Sequence, residues 1–454
     1  MEIKGKKILV IGLAVSGLET AKTLHGLGAQ VLVNDRKSEV GLKEAIAALE
    51  GMNIQYVLGG HPVELAAWPH LAVISPGVPM DIPMVRRIAE SGREVISEVE
   101  LAFRLTGTPI VAITGTNGKT TTTALTGEIF SLSGRTTHVV GNIGTPVIHT
   151  AVNSRSGDVL VAEISSFQLE GTRDFRPAAA AVLNITPDHL DRHRTFDNYT
   201  GIKARILRNQ GPQDYAVLNA DEPVTASLAK KCRAKVLYFS RQRIMDTGAF
   251  VEDGYVVLRK GKILERVCRA VDLKIPGDHN LENALAAAAL AWCMDVPVKV
   301  MGEALKSFEG VAHRLEYVDT VRGVKFINDS KGTNPDASAK AIKAVDRPVV
   351  LIAGGYDKGG DFDGFVKGFD GKVKGVVLMG ATAEKLKCAC QKVNLSSIYV
   401  VEDMQEAVKK AALIAEEGDT VLLSPACASW DMYNNFEERG KEFKKAVGLL
   451  RRFD

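Results

Sequence analysis

The chain has 454 residues, too many for one ordinary hydrophobic core, so two or three domains are expected. Lys plus Arg exceeds Asp plus Glu by only 57 to 54, which excludes a global basic field of the kind that attracts nucleic acid or a membrane surface. No apolar run approaches the ~20 residues that span a bilayer, no secretion signal is visible around Met1–Lys7, and six scattered cysteines lack metal or redox spacing, so a reducing cytoplasm is expected.

Apolar runs of strand length alternate with helical patterns through most of the chain, the mark of an α/β architecture with mostly parallel sheets. The first run, Lys7–Ile11, leads into Gly12-Leu-Ala-Val-Ser-Gly17, a helix near Gly17–Leu27 and a strand over Gln30–Asp35. This spacing is that of a dinucleotide fingerprint, with Asp35 where a ribose-binding acid belongs. The middle glycine is Ala14, however, so NAD, another nucleotide and a plain structural turn all stay open. A further strand, Leu71–Ile74, ends in Ser75-Pro76-Gly77, a turn expected at the carboxyl edge of the sheet, where α/β folds place ligands.

Next come an apolar run, Pro109–Ile113, the loop Thr114-Gly-Thr-Asn-Gly-Lys-Thr-Thr-Thr122, and a helix over Ala124–Phe130. A strand, a glycine-bearing turn and a helix start together present backbone N–H groups and the positive end of a helix dipole to an anion. Lys119 supplies a mobile cation for β/γ-phosphates and Thr120 a hard oxygen for Mg²⁺. The strict Walker pattern wants glycine where Ile113 stands, so the phosphate loop is a variant one. Strands over Asp158–Ala162 and Ala179–Leu183 deliver Glu163 and, through Asn184-Ile-Thr-Pro-Asp-His189, His189 towards the same sheet edge. Asp191, Arg192 and His193 read as loop support, and Tyr199 and Lys203, one helical turn apart, as a solvated face. Asn280 and Asn283 share one face at the start of an alanine-rich, buried helix running to Cys293, where they suit either a purine edge or a helix cap.

The last segment shows strands over Val349–Ala353, Gly375–Leu378 and Asp419–Leu423. Three loops carry its chemistry: Asn328-Asp-Ser-Lys-Gly-Thr-Asn334, Gly354-Gly-Tyr-Asp-Lys-Gly-Gly360, and Ser424-Pro-Ala-Cys-Ala-Ser429 with Trp430–Gly440. A basic flexible loop beside a serine-bearing one suits a small dicarboxylate, although surface turns look alike. Cys427 has no base beside it in sequence, which speaks against a cysteine nucleophile.

Taken in order, TGTNGKTTT, Glu163–Gln168, His189, Tyr199-x-x-x-Lys203, His279-Asn-x-x-Asn283 and His313-Arg314 resemble the Mur ligases of peptidoglycan synthesis over essentially the whole chain. The loops Asn328–Asn334 and Ser424–Gly440 resemble the branch that joins D-glutamate to UDP-N-acetylmuramoyl-L-alanine. The resemblance implies an ATP-dependent ligase with three domains. These are a Rossmann-like UDP-binding domain over 1–97, a central P-loop ATPase-like domain over 98–311 and a Rossmann-like domain for amino acid and ATP over 312–454. It further implies that Val15, Ser16, Asp35, Arg36, Ser75, Pro76 and Gly77 hold the UDP-sugar. ATP would lie on Gly115, Thr116, Asn117, Gly118, Lys119, Thr120 and Thr121, with Asn280, Asn283, Arg314 and Asp329. Two Mg²⁺ ions would be held by Thr120 and Glu163 and by His189 and Lys203, the lysine as a carbamate; Asn142 would stand near the reacting phosphate. D-Glutamate would meet Lys331, Thr333, Lys358, Ser429 and Phe436. A monomer is expected. The rivals are a folylpolyglutamate-type synthase, a diaminopimelate-adding ligase, whose Asp-Asn-Pro-Arg signature is absent, and a nucleotide-binding regulatory protein without ligase chemistry.

Overall fold

Strand runs such as Ile8–Ile11 and Ile110–Ile113 are buried on every residue, which requires cover on both faces and so a parallel sheet flanked by helices. The computed structural model, which describes residues 1–345 and 348–451, has three sheets, parallel over most of their strands, in two compact units. The first unit comprises Met1–Ile185, Thr195–Ala270 and Asn283–Leu305. Its first sheet joins β1 (Lys7–Ile11), β2 (Gln30–Asp35), β3 (Ile54–Leu58), β4 (Leu71–Ile74) and β5 (Glu94–Ser97), all parallel, in the order β3-β2-β1-β4-β5. The order reverses between β1 and β4, and the turns at Gly12 and Ser75 flank that crevice.

The second sheet contains β6 (Ile110–Thr114), β7 (Thr137–Gly141), β8 (Val159–Glu163), β9 (Ala179–Val182), β10 (Tyr215–Asn219) and β11 (Lys235–Ser240). It continues through β12 (Thr247–Glu252), β13 (Tyr255–Lys260) and β14 (Ile263–Arg269), in the order β14-β13-β12-β11-β10-β9-β6-β8-β7. β12 to β14 form an antiparallel meander. The α/β alternation missed it, yet Asp253-Gly254, with φ of 50° and 76°, is a two-residue hairpin turn of the kind D-G pairs favour. The second unit comprises Thr186–Arg194, Val271–Glu282 and the chain from Lys306 onward. Its sheet joins β15 (Glu316–Val321), β16 (Val324–Asn328), β17 (Val349–Ala353), β18 (Val373–Leu378), β19 (Ile398–Val400) and β20 (Thr420–Leu423), in the order β15-β16-β20-β17-β18-β19. Only the β15–β16 pair is antiparallel.

Within the first unit, two buried glutamates join the sheets. The helix Glu98–Leu105 starts where β5 ends, capped by Ser97. Glu100 accepts the backbone N–H groups of Arg173, Asp174 and Phe175, each at 2.9 Å, and Arg104 Nε at 2.7 Å. That carboxylate is fully satisfied. Glu98 is different: Oε1 accepts Ile148 N–H at 2.6 Å, while the buried Oε2 has no hydrogen-bond partner. Burial pushes its carboxyl up to about 7, partly opposed by that N–H.

The native state therefore binds this proton over a pH range in which the unfolded chain has released it. Stability from this site should fall as pH rises from 4.5 to about 7, by up to ~3 kcal/mol. Urea unfolding of wild type and Glu98→Gln across that range should give a stability difference that changes with pH. A constant difference would count against the buried proton.

Candidate active site

β6 ends at Thr114, and the chain turns through Gly115–Gly118 into the helix Lys119–Leu132. Gly118 has φ of +86°, and a Cβ there would lie 2.3 Å from Asn283 Oδ1. Glycine is required both by conformation and by that contact. No side chain caps the helix, so its first turn faces the loop with the positive end of its dipole. Asn184, just past β9, braces the loop: its Oδ1 accepts Asn117 N–H at 2.8 Å and its Nδ2 donates to Asn117 O at 3.0 Å. Thr116 N–H donates to Asn184 O at 2.9 Å. Lys119 Nζ donates to the carbonyls of Gly115 and Thr116, at 3.0 and 2.8 Å.

Lys203 and Tyr199 are each 1% exposed, so the solvated face expected from their spacing is corrected. Lys203 Nζ donates to Gly115 O at 2.8 Å and lies 4.8 Å from the Tyr199 ring centre. The Tyr199 hydroxyl is 3.2 Å from Thr116 Oγ1. The helix Phe196–Ala204, capped by Thr195, thus sets its polar residues under the phosphate loop. A buried lysine and a surface lysine have the same helical spacing, which is why sequence could not separate them.

Glu163 ends β8, beside β6 in the sheet, and is 1% exposed. Thr120 Oγ1 donates to its Oε2 at 2.7 Å and Asn142 Nδ2 to its Oε1 at 2.8 Å. Thr120 and Glu163, expected to share one Mg²⁺, and Asn142, expected near the reacting phosphate, therefore meet. Their oxygen atoms suit a hard cation such as Mg²⁺ better than a soft one. Among the described residues no group of three or more His, Cys, Asp and Glu could hold a metal by itself. His189 belongs to the second unit, opening a short helix, Leu190–His193, with φ of 53°.

At the β1–β4 crevice, Ser75 Oγ donates to Gly12 O at 2.8 Å, and a Cβ on Gly17 would lie 1.8 Å from that same oxygen. The glycines serve this tight packing. Asp35 accepts Leu13 N–H at 2.7 Å and Lys37 N–H at 2.8 Å, one on each carboxylate oxygen, so it shapes the turn from within. Val15 is 67% exposed, and Arg36 and Gly77 also face solvent, while Ser16 and Pro76 are half-buried. An open cleft lies here, lined by Leu13, Ala14, Asp35, Lys37 and Lys43. The two lysines were not singled out in the sequence, since nothing in their spacing distinguishes them from surface charge.

In the second unit, Asp329 is buried and accepts Ser424 Oγ at 2.7 Å and Leu315 N–H at 3.3 Å. Ser424 also meets Ser338 Oγ at 2.8 Å, and Ser338 accepts Ala426 N–H at 2.9 Å. Burial pushes the Asp329 carboxyl up to about 6, against the pull of Ser424 and the charge of Arg314. Burial, with the charges of Arg314 and Lys340, lowers His279 to about 3, so it is a neutral imidazole. Asn280 Nδ2 donates to Pro276 O at 2.7 Å; it falls in the second unit and Asn283 in the first.

Lys358 Nζ pairs with Asp188 Oδ1 at 3.2 Å, both side chains below a tenth exposed, and Asn334 Nδ2 lies 3.3 Å from Asp188 Oδ2. They line a small cleft with Thr333, Asp357 and Gly360. Lys331 Nζ stands 4.6 Å from the centre of the Phe436 ring. Ser429 is buried, its carbonyl accepting the N–H groups of Met432 and Tyr433. Arg439, 2% exposed, donates to the carbonyls of Ser330, Cys427 and Ala428, which ties the serine loop to the Asn328–Asn334 turn. Asp188, Asn334, Ser338 and Arg439 were missed as site residues, because their partners are 12 to 170 positions away in sequence.

A variant phosphate loop at the end of a parallel strand, with a buried carboxylate beside its threonine, defines an α/β nucleotide-binding protein. Three family descriptions match the chain in order: "Mur ligase MurD-like, N-terminal domain" over residues 6–97, "Mur ligase middle domain" over 113–291, and "Mur ligase, glutamate ligase domain" over 313–427. A protein of Alkaliphilus oremlandii named UDP-N-acetylmuramoylalanine–D-glutamate ligase is 54% identical over the full length of both chains. Proteins of the same name from Caldanaerobacter subterraneus and Clostridioides difficile are 51% and 48% identical; they align over 100% and 99% of this chain and over all of each relative. The chain belongs to the Mur ligase family. Two solved structures share its fold. UDP-N-acetylmuramate-alanine ligase of Thermotoga maritima has a TM-score of 0.61 at 20% identity, over 98% of this chain and 99% of that one. A pseudomurein peptide ligase type C of Methanothermus fervidus has a TM-score of 0.60 at 22% identity, over 98% and 100%.

Gly118→Ala should weaken ATP binding by about tenfold or more and lower stability by ~1–2 kcal/mol, since alanine neither favours this φ nor fits against Asn283. Calorimetric titration with ATP would show it. Unchanged affinity would mean that the loop does not cradle phosphate.

Proposed function

We propose that this protein joins D-glutamate to UDP-N-acetylmuramoyl-L-alanine at the expense of ATP, a step of peptidoglycan synthesis. The observation that carries this reading is the likeness, at 54% identity over the whole chain, to a protein named for that ligation. The joint meeting of Thr120, Asn142 and Glu163 at the phosphate loop supports it from the side of the chemistry. No helix among the described residues is long and apolar enough to cross a membrane.

A carboxylate is a poor acyl donor, because its charge is delocalised and its oxygen leaves badly. Transfer of the ATP γ-phosphoryl group to the alanyl carboxylate of the sugar nucleotide gives an acyl phosphate. The amine of D-glutamate then attacks, and phosphate leaves from a tetrahedral intermediate. No protein nucleophile is needed. The loop N–H groups over Gly115–Thr121 and the Lys119 ammonium hold the β- and γ-phosphates, turning Lys119 from its present carbonyl acceptors. Thr120 and Glu163 would hold one Mg²⁺, and His189 and Lys203 a second; such ions, when bound, offset phosphate charge. Lys203 fits that role only as a carbamate, formed by its neutral amine with CO₂, since an ammonium cannot ligate a cation. Its burial beneath Gly115 supports a lysine with a purpose inside the site.

Val15, Ser16, Asp35, Arg36 and Ser75–Gly77 border the seat proposed for UDP, with Asp35 acting by fixing the turn. Asn280, Asn283, Arg314 and Asp329 are proposed for ATP; for Asp329, buried under Ser424, the role is to hold its loop. Lys331, Thr333, Lys358, Ser429 and Phe436 are proposed around D-glutamate. Lys358 already holds one carboxylate, that of Asp188, which supports a place for a second. The domain division at 97/98 and 311/312 and a monomeric state complete the proposal.

Phosphate release from ATP should require both the UDP-muramoyl-alanine acceptor and D-glutamate, and neither L-glutamate nor diaminopimelate should replace the latter. Release independent of any amino acid would sink the assignment. Lys358→Ala should raise the KM for D-glutamate by about tenfold or more and leave the KM for ATP within about twofold. A shift confined to ATP would show the amino-acid seat to be misplaced. With ¹³C-bicarbonate, wild type should show a carbamate resonance that Lys203→Ala lacks; full activity of unmodified Lys203 would overturn the carbamate.

A further inference from the structure

Glu98 lies on the helix Glu98–Leu105, the junction helix that follows β5, and is the one acidic side chain there whose structural duties do not account for it. Glu100, two residues on and so just over half a turn away, satisfies three N–H groups and an arginine. Glu98 has a single hydrogen bond, to Ile148 N–H, and a second oxygen sealed from both solvent and any donor. A buried carboxyl held by one bond costs stability, and an apolar residue would pack there at no such cost. Local costs of this kind cluster where function needs a particular geometry.

The partner N–H shows what is being held. Ile148 lies in the first turn of the short helix Val147–Ala151, whose N-cap is Pro146, a residue with no side-chain acceptor. Glu98 supplies that acceptor from another helix, at the end of the turn where a carboxylate is favoured. Directly before this helix runs the segment Gly141–Thr145. Its other end is fastened to the phosphate site: Asn142 N–H donates to Glu163 O at 2.8 Å, and Asn142 Nδ2 to Glu163 Oε1. Gly141 N–H closes the turn on Thr145 O at 2.9 Å, and a Cβ on Gly141 would lie 2.3 Å from Glu163 O. The same short helix reaches the first sheet's layer, where His149 Nδ1 meets Glu19 Oε2 at 2.9 Å, on the helix Val15–Gly26. That helix opens at the β1–β4 crevice.

We infer that Glu98 is a positioning residue for the ligation: by capping the helix Val147–Ala151 from the junction helix, it fixes the Gly141–Thr145 segment and so the Asn142 amide that engages Glu163 beside the phosphate loop. The first sheet and the phosphate loop are thereby held in one register through a single short helix. The inference rests on the proposed ligase reading for its kinetic consequence, but its structural half does not.

The test has two arms. Hydrogen–deuterium exchange on the protein without ligands should show faster exchange at residues 142–148 in Glu98→Ala, with the amides of 116–122 unchanged. In steady-state kinetics the same variant should lose about tenfold or more in kcat, with the KM values for ATP and D-glutamate within about twofold. Glu98→Gln keeps an oxygen acceptor for Ile148 N–H and should restore both exchange and most of kcat. If Glu98→Ala does not fold, Glu98→Asp, which withdraws the carboxylate by one methylene, should act in the same direction. Unchanged exchange overturns the inference. So does faster exchange with wild-type kcat, since Glu98 would then serve stability alone. Should the protein show no amino-acid-dependent ligation, the exchange arm still decides the positioning role.

Discussion

The carboxylate of Glu163 is buried at the end of β8, in a position where an unpaired charge would be costly. Its partners come from two different directions. Thr120 stands in the first turn of the helix after the phosphate loop, and Asn142 follows β7, which pairs with β8 in register at Gly141 and Glu163. Satisfying one carboxylate therefore sets the loop, the helix and the neighbouring strand end in a common frame. The bracing by Asn184 and Lys203 from below and the cap that Glu98 places on the following helix all serve that frame.

The second unit is organised on the same principle with different groups. Asp329, Ser424 and Ser338 form a buried polar chain, and Gly332 fits over it because a Cβ there would lie 2.6 Å from Asp329 Oδ2. Arg439 is a buried cation satisfied by carbonyls of two loops. Polar groups that are fully paired inside a low-dielectric interior fix geometry more sharply than apolar packing does. Loops that carry Lys331, Thr333 and Ser429 are thus held by internal hydrogen bonds rather than left to the surface.

Much of this could be read from sequence. Continuous apolar runs located the parallel strands, several to the residue, such as Gln30–Asp35, Leu71–Ile74 and Val349–Ala353. Glycines at 118 and 12 marked real steric needs. Where the reading fell short, the reasons differ. Lys203 looked solvated because helical spacing says which residues share a face and nothing about what covers it. The meander β12–β14 went unseen because the α/β alternation was extended past the Asp253-Gly254 turn that contradicts it. Asp35, expected to meet a ribose, also has a local duty that the sequence did not show: its oxygens accept the Leu13 and Lys37 N–H groups.

Sequence by itself determined the architecture and the chemistry available: strand periodicity, phosphate-loop glycines and the order of the acidic, basic and amide residues are local properties of the chain. The family, too, followed from that order. Only the tertiary structure decided which polar groups are buried and with whom they pair, as with Glu98 and Ile148, Lys358 and Asp188, or Glu163 with Thr120 and Asn142. Burial and pairing depend on residues tens to hundreds of positions apart meeting in space, and those meetings set each group's charge, orientation and role.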